Sequence, residues 1–247
     1  MRLTRIHCST TLTEGESAVV TGGAAQHLRR VLRARPGDKV VLFDGSGNEF
    51  HAVIDSSDER STTLRVLGRT ATRQTESPLT VTLIQGVSRG ERMDFVLQKA
   101  TELGVTTIVP VVTERSVVRL DTDQARRRLD HWRAIMVAAC EQCGRTVLPG
   151  LMPVTTLADH LTRADTGATR VMLTLDGSRS LMDTAAGSRF VEILIGPEGG
   201  LSTAEQEMAR GAGFVGTTLG PRVLRTETAA LVALTIVQLV AGDLCEH

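Results

Sequence analysis

Hydrophobic and polar positions follow two different rhythms along the chain. Up to about residue 70 the apolar runs are short and β-type, and turn clusters such as Pro36-Gly37-Asp38 separate them. Strands are predicted at residues 19–20, 39–43, 50–54 and 62–67, with one helical turn at residues 27–32. This rhythm predicts a small, mostly antiparallel β-barrel over residues 1–70.

From residue 79 onward, apolar strands alternate with amphipathic helices. Strands are predicted at 79–85, 107–112, 171–175, 191–195 and 214–219, and we expect Pro110 to break the second of them. Helices are predicted near 93–103, 124–143, 157–161 and 228–240. The alternation predicts a parallel α/β sheet over residues 79–247, and the polar residues 71–78 are interpreted as the linker. The last helix is apolar nearly all round, so we expect it to be buried in its own core or against a partner subunit.

Two of these strands end in Gly-Pro loops that lead into helices. The first loop runs from Gly196 to Gly200, and Ser202 with Glu205 has the spacing of a capping box. The second contains Gly220-Pro221-Arg222, and Thr226 or Thr228 is expected to cap the next helix. One such loop is typical of an ordinary tight turn. Two loops with arginines and a glutamate nearby favour a ligand site, because strand ends in α/β proteins expose backbone amides.

The loops lack the usual phosphate-binding signatures. The chain contains neither the P-loop lysine nor the glycine spacing of a dinucleotide fold. A ligand would therefore contact mainly backbone groups, which suits an adenosine-type cofactor better than a triphosphate.

Charge and composition bound the possible partners. The formal net charge is zero, so no global field attracts nucleic acid, and aromatics are only 2% of residues, which argues against extensive base stacking. A local cluster of Arg29, Arg30, Arg33, Arg35 and Lys39 could still form a phosphate-binding face. A solvated charged face is an equally good interpretation of the same spacing.

The cysteine, histidine and serine patterns of the sequence do not favour a metal site or a hydrolase. Cys140 and Cys143 form a CxxC without a second ligand pair, and both fit the apolar stripe of the predicted 124–143 helix. The histidines show no HExxH pattern, and Ser202 is interpreted as a helix cap rather than a nucleophile. We expect no metal. Four cysteines in a chain this long predict no disulfide framework, and with no signal peptide or run long enough to span a bilayer we expect a cytoplasmic protein.

Taken together, the motifs resemble the RsmE family of bacterial ribosomal-RNA uridine-N3 methyltransferases, in the SPOUT superfamily. The strongest match is ILIGPEGGLSTAE followed by LGPRVLRTETAAL near the C-terminus. The remaining matches are His27-Leu28, Val31-Leu32-Arg33, Gly37-Asp38, Asp44-Gly45, Gly90, Met93, Gln98-Lys99, Glu102-Leu103-Gly104 and Glu141-Gln142-Cys143-Gly144-Arg145. Arg89 stands where lysine is usual in the family, and Ile6 where an aromatic residue is frequent.

The resemblance implies an architecture and a set of partners. It implies a PUA-like RNA-binding β-barrel followed by a SPOUT α/β domain with a trefoil knot. It also implies a homodimer that binds S-adenosyl-L-methionine and acts on 16S rRNA within the small ribosomal subunit. The residues it implies for the cofactor are Leu173, Thr174, Leu175, Ile195, Gly196, Pro197, Gly199, Gly200, Leu219, Gly220, Val223 and Leu224. Those expected to contact RNA are Arg29, Arg30, Arg33, Lys39, Arg89, Arg145 and Arg222.

The implied reaction also suggests catalytic residues. Methylation of N3 removes a proton and leaves negative charge on the ring oxygens, and the motif match makes Arg225 the candidate that stabilises this charge. Glu198 and Glu227 are candidate bases, although each could instead cap an amide or pair with an arginine. Two alternatives remain open: a SPOUT enzyme that methylates ribose 2′-oxygen or tRNA, and a non-catalytic RNA-binding module on the same fold.

Overall fold

The chain packs as two compact units in a computed structural model that describes residues 3–31, 33–70, 74–116, 122–162 and 167–245. The first unit takes Met1–Glu76 and Val137–Leu148, and the second takes Ser77–Met136 and Pro149–His247. A stretch from the middle of the chain therefore belongs to the N-terminal unit, which the linear pattern does not reveal. The boundaries at 70 and 79 stay predictions, and residues 71–73 of the predicted linker lie outside the described residues.

The first unit is built on a five-stranded sheet. Its elements are β1 (Arg5–His7), β2 (Ser17–Thr21), α1 (Gly22–Gln26), β3 (Lys39–Phe43), β4 (Glu49–Ser57) and β5 (Ser61–Arg69). The strands lie in the order β1-β3-β4-β5-β2, and all neighbours are antiparallel except β1 and β3. Along β2 buried and exposed residues alternate, so that Ala18 and Val20 enter the same core as Leu42 and Ile54. The predicted, mostly antiparallel β domain is confirmed.

The helical turn predicted at residues 27–32 is longer and less regular than its pattern indicated. Helix α1 begins at Gly22 and continues into a π-helical turn, His27–Val31. Ala25 and Leu28 are both buried in the core of the first unit, and this packing extends the helix backward into a glycine-rich stretch with low helix propensity. Leu32, the last residue of the predicted turn, lies outside the described residues.

The second unit is an eight-stranded sheet whose strand pairs are all parallel. Its strands are β6 (Thr80–Gly86), β7 (Thr107–Val112), β8 (Gly150–Leu151), β9 (Thr155–Thr156), β10 (Thr169–Leu173), β11 (Arg179–Ser180), β12 (Phe190–Ile195) and β13 (Val215–Thr218). Its helices are α2 (Glu91–Glu102), α3 (Thr122–Cys143), which continues into the first unit, α4 (Leu157–Leu161), α5 (Leu181–Ala185), α6 (Thr203–Gly211) and α7 (Thr226–Ala241). The order is β11-β13-β10-β12-β6-β7-β8, with β9 also on β7.

Helices cover both faces of this sheet. On one face Met93 and Leu97 of α2 pack with Ala233 and Val237 of α7. On the other face Leu157 of α4 and Ala209 of α6 pack in a separate cluster. This is the α/β layering that the alternation of strands and helices predicts. Within the part of the chain that the structure describes, no helix combines the length and apolar character needed to cross a membrane.

The expectation that Pro110 breaks its strand is wrong, since β7 is continuous from Thr107 to Val112. The carbonyl of Val111 accepts a hydrogen bond from the amide of Val87, so Val111 faces β6. Backbone groups alternate along a strand, and Pro110 therefore faces the opposite side. There β8 pairs with Thr107 and Ile108, and β9 pairs with Val111 and Val112. Pro110 falls in the gap between these two strands, where no amide hydrogen is required.

Candidate active-site cleft

The loops at the carboxyl edge of the parallel sheet enclose one open cleft of about 710 Å³. Strands β10, β12 and β13 are parallel neighbours, so their carboxyl ends and following loops meet at this edge. The lining contains every residue that the resemblance implied for the cofactor: Leu173, Thr174, Leu175, Ile195, Gly196, Pro197, Gly199, Gly200, Leu219, Gly220, Val223 and Leu224. Segments that are distant in sequence therefore share one surface.

The wall formed by the β12–α6 loop is tightly packed. A Cβ atom added to Gly86 at the end of β6 would lie 2.5 Å from the backbone nitrogen of Pro197, and one added to Gly196 would lie 2.9 Å from the carbonyl carbon of Gly200. Both glycines are required because backbone passes directly over them. The loop therefore has little freedom to change shape.

Helix α6 begins with the capping box that the sequence predicts. Ser202 Oγ accepts a hydrogen bond from the amide of Glu205, and the Glu205 carboxylate accepts one from the amide of Ser202. The prediction for α7 is wrong, since its N-cap is Arg225 and Thr226 is the first helical residue. The Thr226 hydroxyl instead donates to the carbonyl of Gly196 at 2.7 Å and accepts from Gln85 Nε2 at 2.9 Å. Thr226 thus ties α7 to the β12–α6 loop.

Glu198 is held by the start of α2. Its Oε1 accepts a hydrogen bond from Arg92 Nη1 at 2.8 Å and one from the amide of Arg89 at 3.2 Å. Partial burial alone would raise the pKa of this carboxyl group, but hydrogen bonds from the backbone and from Arg92 outweigh it and lower the pKa below its usual value. A carboxylate with a lowered pKa and an arginine partner is a poor proton acceptor. Of the two interpretations of Glu198, the structure favours pairing with an arginine over acting as a base.

The wall formed by the β13–α7 loop is exposed. Arg222 and Arg225 both line the cleft and are exposed, and Val223 between them is 76% exposed. Among the described residues neither arginine forms an ion pair. Both guanidinium groups are therefore available to a ligand.

Two buried polar atoms beside the cleft have no hydrogen-bond partner within the described ranges. They are Oγ1 of Thr174, in the loop after β10, and Oε2 of Glu227, in the first turn of α7. A buried acceptor without a partner is costly, so such atoms point to a ligand or a bound water. Of the two candidate bases, Glu227 is the one with a buried carboxylate oxygen that has no hydrogen-bond partner among the described residues.

The residues predicted to contact RNA are distributed over both units. In the first unit Arg30, Arg33 and Lys39 are exposed, whereas Arg29 is half-buried. Hydrogen bonds from Arg60 and Ser61 are the main cause of the lowered pKa of Asp58, and the charge of Arg29 makes a smaller contribution in the same direction. In the second unit Arg89 is exposed at the start of α2.

Arg145 does not fit its predicted role as an RNA contact. It is only 6% exposed, and its guanidinium donates two hydrogen bonds to Glu76 Oε2, at 2.7 and 2.9 Å. Oε1 of the same carboxylate accepts from the amides of Thr146 and Val147. Arg145 therefore stabilises the packing of the first unit, because a buried and paired guanidinium is not presented to RNA.

The CxxC motif takes part in packing. Cys140 is fully buried, and burial raises the pKa of its thiol to about 12, so the thiolate that a metal or a nucleophilic reaction requires is not formed at neutral pH. Cys143 is half-buried.

Sequence reasoning missed several ionisable residues of the cleft. Arg92, Arg115 and Asp176 all line it. Arg115 follows strand β7, whose carboxyl end lies at the same edge of the sheet as the Gly-Pro loops. The available signal was the polar run Thr113-Glu114-Arg115 directly after an apolar strand, but the search for Gly-Pro loops passed over it.

Comparison with known proteins assigns most of the chain to two RNA methyltransferase domain families. Residues 75–238 match the model of an RNA methyltransferase domain, and residues 20–67 match that of an RNA methyltransferase PUA domain. Ribosomal RNA small subunit methyltransferase E of Buchnera aphidicola is 30% identical, over 98% of this chain and 98% of that protein. The protein of the same name from Bacillus subtilis is also 30% identical, over 94% of this chain and 95% of its own length.

Solved structures agree with the two-domain architecture. A methyltransferase of Legionella pneumophila in complex with SAM superposes with a TM-score of 0.93 and 37% identity, covering 99% of this chain and 100% of that one. Ribosomal RNA small subunit methyltransferase E of Neisseria gonorrhoeae bound to S-adenosyl methionine has a TM-score of 0.89 and 37% identity, covering 98% and 100%. The predicted fold class, a SPOUT α/β domain after a smaller PUA-like β domain, is confirmed.

Proposed function

The chain belongs to the RNA methyltransferase family whose curated members are named ribosomal RNA small subunit methyltransferase E, and from this premise we propose that it methylates N3 of a uridine in 16S rRNA. The observation that carries the proposal is the convergence of the loops after β10, β12 and β13 on one cleft. S-adenosyl-L-methionine is the proposed cofactor, as it is bound in the structures of the relatives from Legionella and Neisseria.

The residues of the cleft fit this cofactor. The cleft is lined by residues 196–200, 219–220 and 222–224, and the buried Thr174 hydroxyl has no hydrogen-bond partner among the described residues. These groups suit the polar edges of an adenosine, and Leu173 and Ile195 supply apolar contact. When bound, the cofactor supplies a methyl group on a positively charged sulfur.

We assign charge stabilisation to Arg225. Loss of the N3 proton places negative charge on the ring oxygens of the uracil, and an exposed guanidinium without an ion-pair partner among the described residues is suited to bind them. Arg222, three residues earlier in the same loop, is assigned to a phosphate of the RNA strand. In this assignment Arg225 stabilises the charge that develops on the uracil during the reaction, whereas Arg222 contributes to RNA binding.

We assign proton acceptance to Glu227 rather than to Glu198. Glu227 Oε2 is buried beside the cleft without a hydrogen-bond partner among the described residues, whereas Glu198 already accepts from Arg92 and the amide of Arg89. A general base must lie within hydrogen-bond reach of the proton that it accepts, and a carboxylate oxygen with no other partner is open to that contact.

The other partners follow from the substrate. Exposed Arg30, Arg33 and Lys39 on the PUA-like unit are proposed to contact rRNA phosphates, within an assembled small subunit in the cytoplasm. We also propose a homodimer, because Val232 and Ile236 on α7 are only half-buried and Leu239 on the same helix is 41% exposed. Light scattering that gave a monomer mass at micromolar concentration would contradict the dimer.

The decisive experiment is methyl transfer from labelled cofactor to unmethylated small subunits, compared with naked rRNA. Mass spectrometry of the digested RNA should place the methyl group on N3 of a uridine. A methyl group on ribose 2′-oxygen, or labelling of tRNA alone, would support a different SPOUT activity. No cofactor binding by calorimetry would support a non-catalytic RNA-binding module.

Arg225→Ala should lower the rate of methyl transfer by about 10²–10³-fold, because a group that stabilises charge in the transition state is removed. Cofactor affinity, measured by calorimetry, should remain close to that of the parent. Arg189→Ala is the matched control, since Arg189 is exposed and lies next to β12 at the opposite edge of the sheet. Turnover of Arg225→Ala equal to that of the control would contradict the assignment.

Glu227→Gln should lower turnover by about 10²–10⁴-fold, because the amide cannot accept the proton. The defect should shrink as pH rises, since deprotonation of the uracil by solvent then replaces the base. Equal turnover at all pH values would show that Glu227 has a different role.

A further inference from the structure

The loop after β7 brings another arginine to the cleft, outside both Gly-Pro segments. Arg115 is exposed and lines the cleft near the β12–α6 loop. It lies neither in the motifs that carry the family resemblance nor among the residues assigned above.

The backbone that carries Arg115 is fixed in place. The amide of Thr113 donates to Ser116 Oγ at 3.0 Å, and the amide of Ser116 donates to the carbonyl of Thr113 at 3.0 Å, which closes a turn around Arg115. The amide of Glu114 donates to Oε1 of Glu205 at 2.8 Å.

Glu205 joins this turn to the cofactor loop. It is 6% exposed, and its other oxygen, Oε2, accepts from the amide of Ser202 in the capping box of α6. One buried carboxylate therefore fixes both the start of α6 and the turn that carries Arg115. An arginine on such a support loses less conformational entropy when it binds a ligand.

The guanidinium of Arg115 rests on Gly199. Its Nη1 donates to the carbonyl of Gly199 at 3.1 Å, and a Cβ atom added to Gly199 would lie 3.0 Å from Cβ of Arg115. A guanidinium has five N–H donors, so this single bond leaves others for a ligand. Arg115 forms no ion pair among the described residues, in contrast to Arg92, which pairs with Glu198.

We propose that Arg115 binds a phosphate of the rRNA strand next to the target nucleotide. The inference rests on the proposed RNA methylation. Arg115 lies on one wall of the cleft, and Arg222 and Arg225 lie on another. All three are exposed, and none of them forms an ion pair with the part of the chain that the structure describes. A nucleotide whose base enters a cleft keeps its phosphates at the rim, where an exposed guanidinium suits them. The carboxylate of the cofactor is the competing anion, and the experiment separates the two.

The experiment measures binding of unmethylated small subunits to Arg115→Ala in the presence of S-adenosylhomocysteine, over a series of salt concentrations. Loss of one phosphate contact should weaken binding and reduce the slope of log affinity against log salt by about 0.7–0.9. Arg115→Lys, which keeps the charge, should restore most of the slope. Arg189→Ala should match the parent in both measurements.

Calorimetry with S-adenosylhomocysteine alone completes the test. Its affinity for Arg115→Ala should equal that for the parent, because the contact belongs to RNA. A lower cofactor affinity with an unchanged salt slope would overturn the proposal and assign Arg115 to the cofactor carboxylate. A parent protein that methylates subunits while Arg115→Ala keeps the parent's salt slope would overturn it as well. A parent that neither binds nor methylates subunits would instead contradict the proposed function itself.

Discussion

The two Gly-Pro loops of the cleft look alike in sequence and differ in structure. The β12–α6 loop is in contact on several sides: Gly86 passes under Pro197, Arg92 pairs with Glu198, and Thr226 donates to Gly196. In the β13–α7 loop Gly220, Pro221, Arg222 and Val223 are all exposed. The same Gly-Pro pair therefore occurs in one loop that is held by contacts with neighbouring elements and in another loop that is exposed.

This difference matches two different tasks. A cofactor of fixed shape is bound best by a wall that is already in its final position, because little entropy is then lost on binding. A substrate that belongs to a large particle needs side chains that reach outward, and the exposed arginines of the β13–α7 loop meet that need. Breaking the supports of the first loop should therefore affect cofactor affinity, whereas changes in the second should affect RNA and catalysis.

The largest effect is expected from Gly86→Ala. The added methyl group would lie 2.5 Å from Pro197 N and 2.8 Å from Gly196 C, both backbone atoms that cannot move without displacing the loop. Overpacking of this kind costs about 1–3 kcal/mol or more of the free energy of unfolding. Urea denaturation should show this loss, and calorimetry should show a marked loss of S-adenosylmethionine affinity.

Gly211→Ala is the control for this substitution. Gly211 is the last residue of α6, has no atom within 4 Å of an added Cβ, and should tolerate alanine without loss of stability. If Gly86→Ala bound the cofactor as tightly as this control, the β12–α6 loop would be free to move and the contrast between the loops would disappear.

The smallest effect is expected from Glu198→Gln, which weakens one support of the same loop. The side chain of Arg92 is 45% exposed, so the pair should contribute only about 0.2–1 kcal/mol to the free energy of unfolding. Because hydrogen bonds lower the folded-state pKa of Glu198, its contribution is present above the usual value of 4.5 and is lost as pH falls through the folded-state pKa.

The stability difference between the parent and Glu198→Gln should therefore be largest near pH 7 and should vanish in acid. Urea denaturation of the parent and of Glu198→Gln, at pH 7 and at an acid pH below the usual carboxyl pKa, measures this difference. Glu207→Gln, on the exposed face of α6, should show no such difference. A difference that stayed constant with pH would mean that the ionised form of Glu198 is not what supports the loop.

Local patterns predicted local structure well. The capping box of Ser202 and Glu205 and the strand Lys39–Phe43 appear where the sequence places them, because hydrogen bonds and side-chain alternation over a few residues determine both. The errors arose where a distant partner changes the outcome. Thr226 has the residue type of a cap, yet its hydroxyl binds Gly196, thirty positions away. Arg145 has the charge of an RNA contact, yet it is buried and donates guanidinium hydrogen bonds to Glu76.

By itself the sequence determined the main strands and helices, the two Gly-Pro loops that line the cleft, and, through the family motifs, the residues expected to hold the cofactor. These depend on periodicity and on glycine and proline, which act within a few residues. Only the tertiary structure decided which charges are free. It pairs Glu198 with Arg92, leaves an oxygen of Glu227 without a hydrogen-bond partner among the described residues, and brings Arg115 from another strand to the same cleft. The availability of a charged group depends on its neighbours in space, and parallel strands join loops that are far apart in the chain.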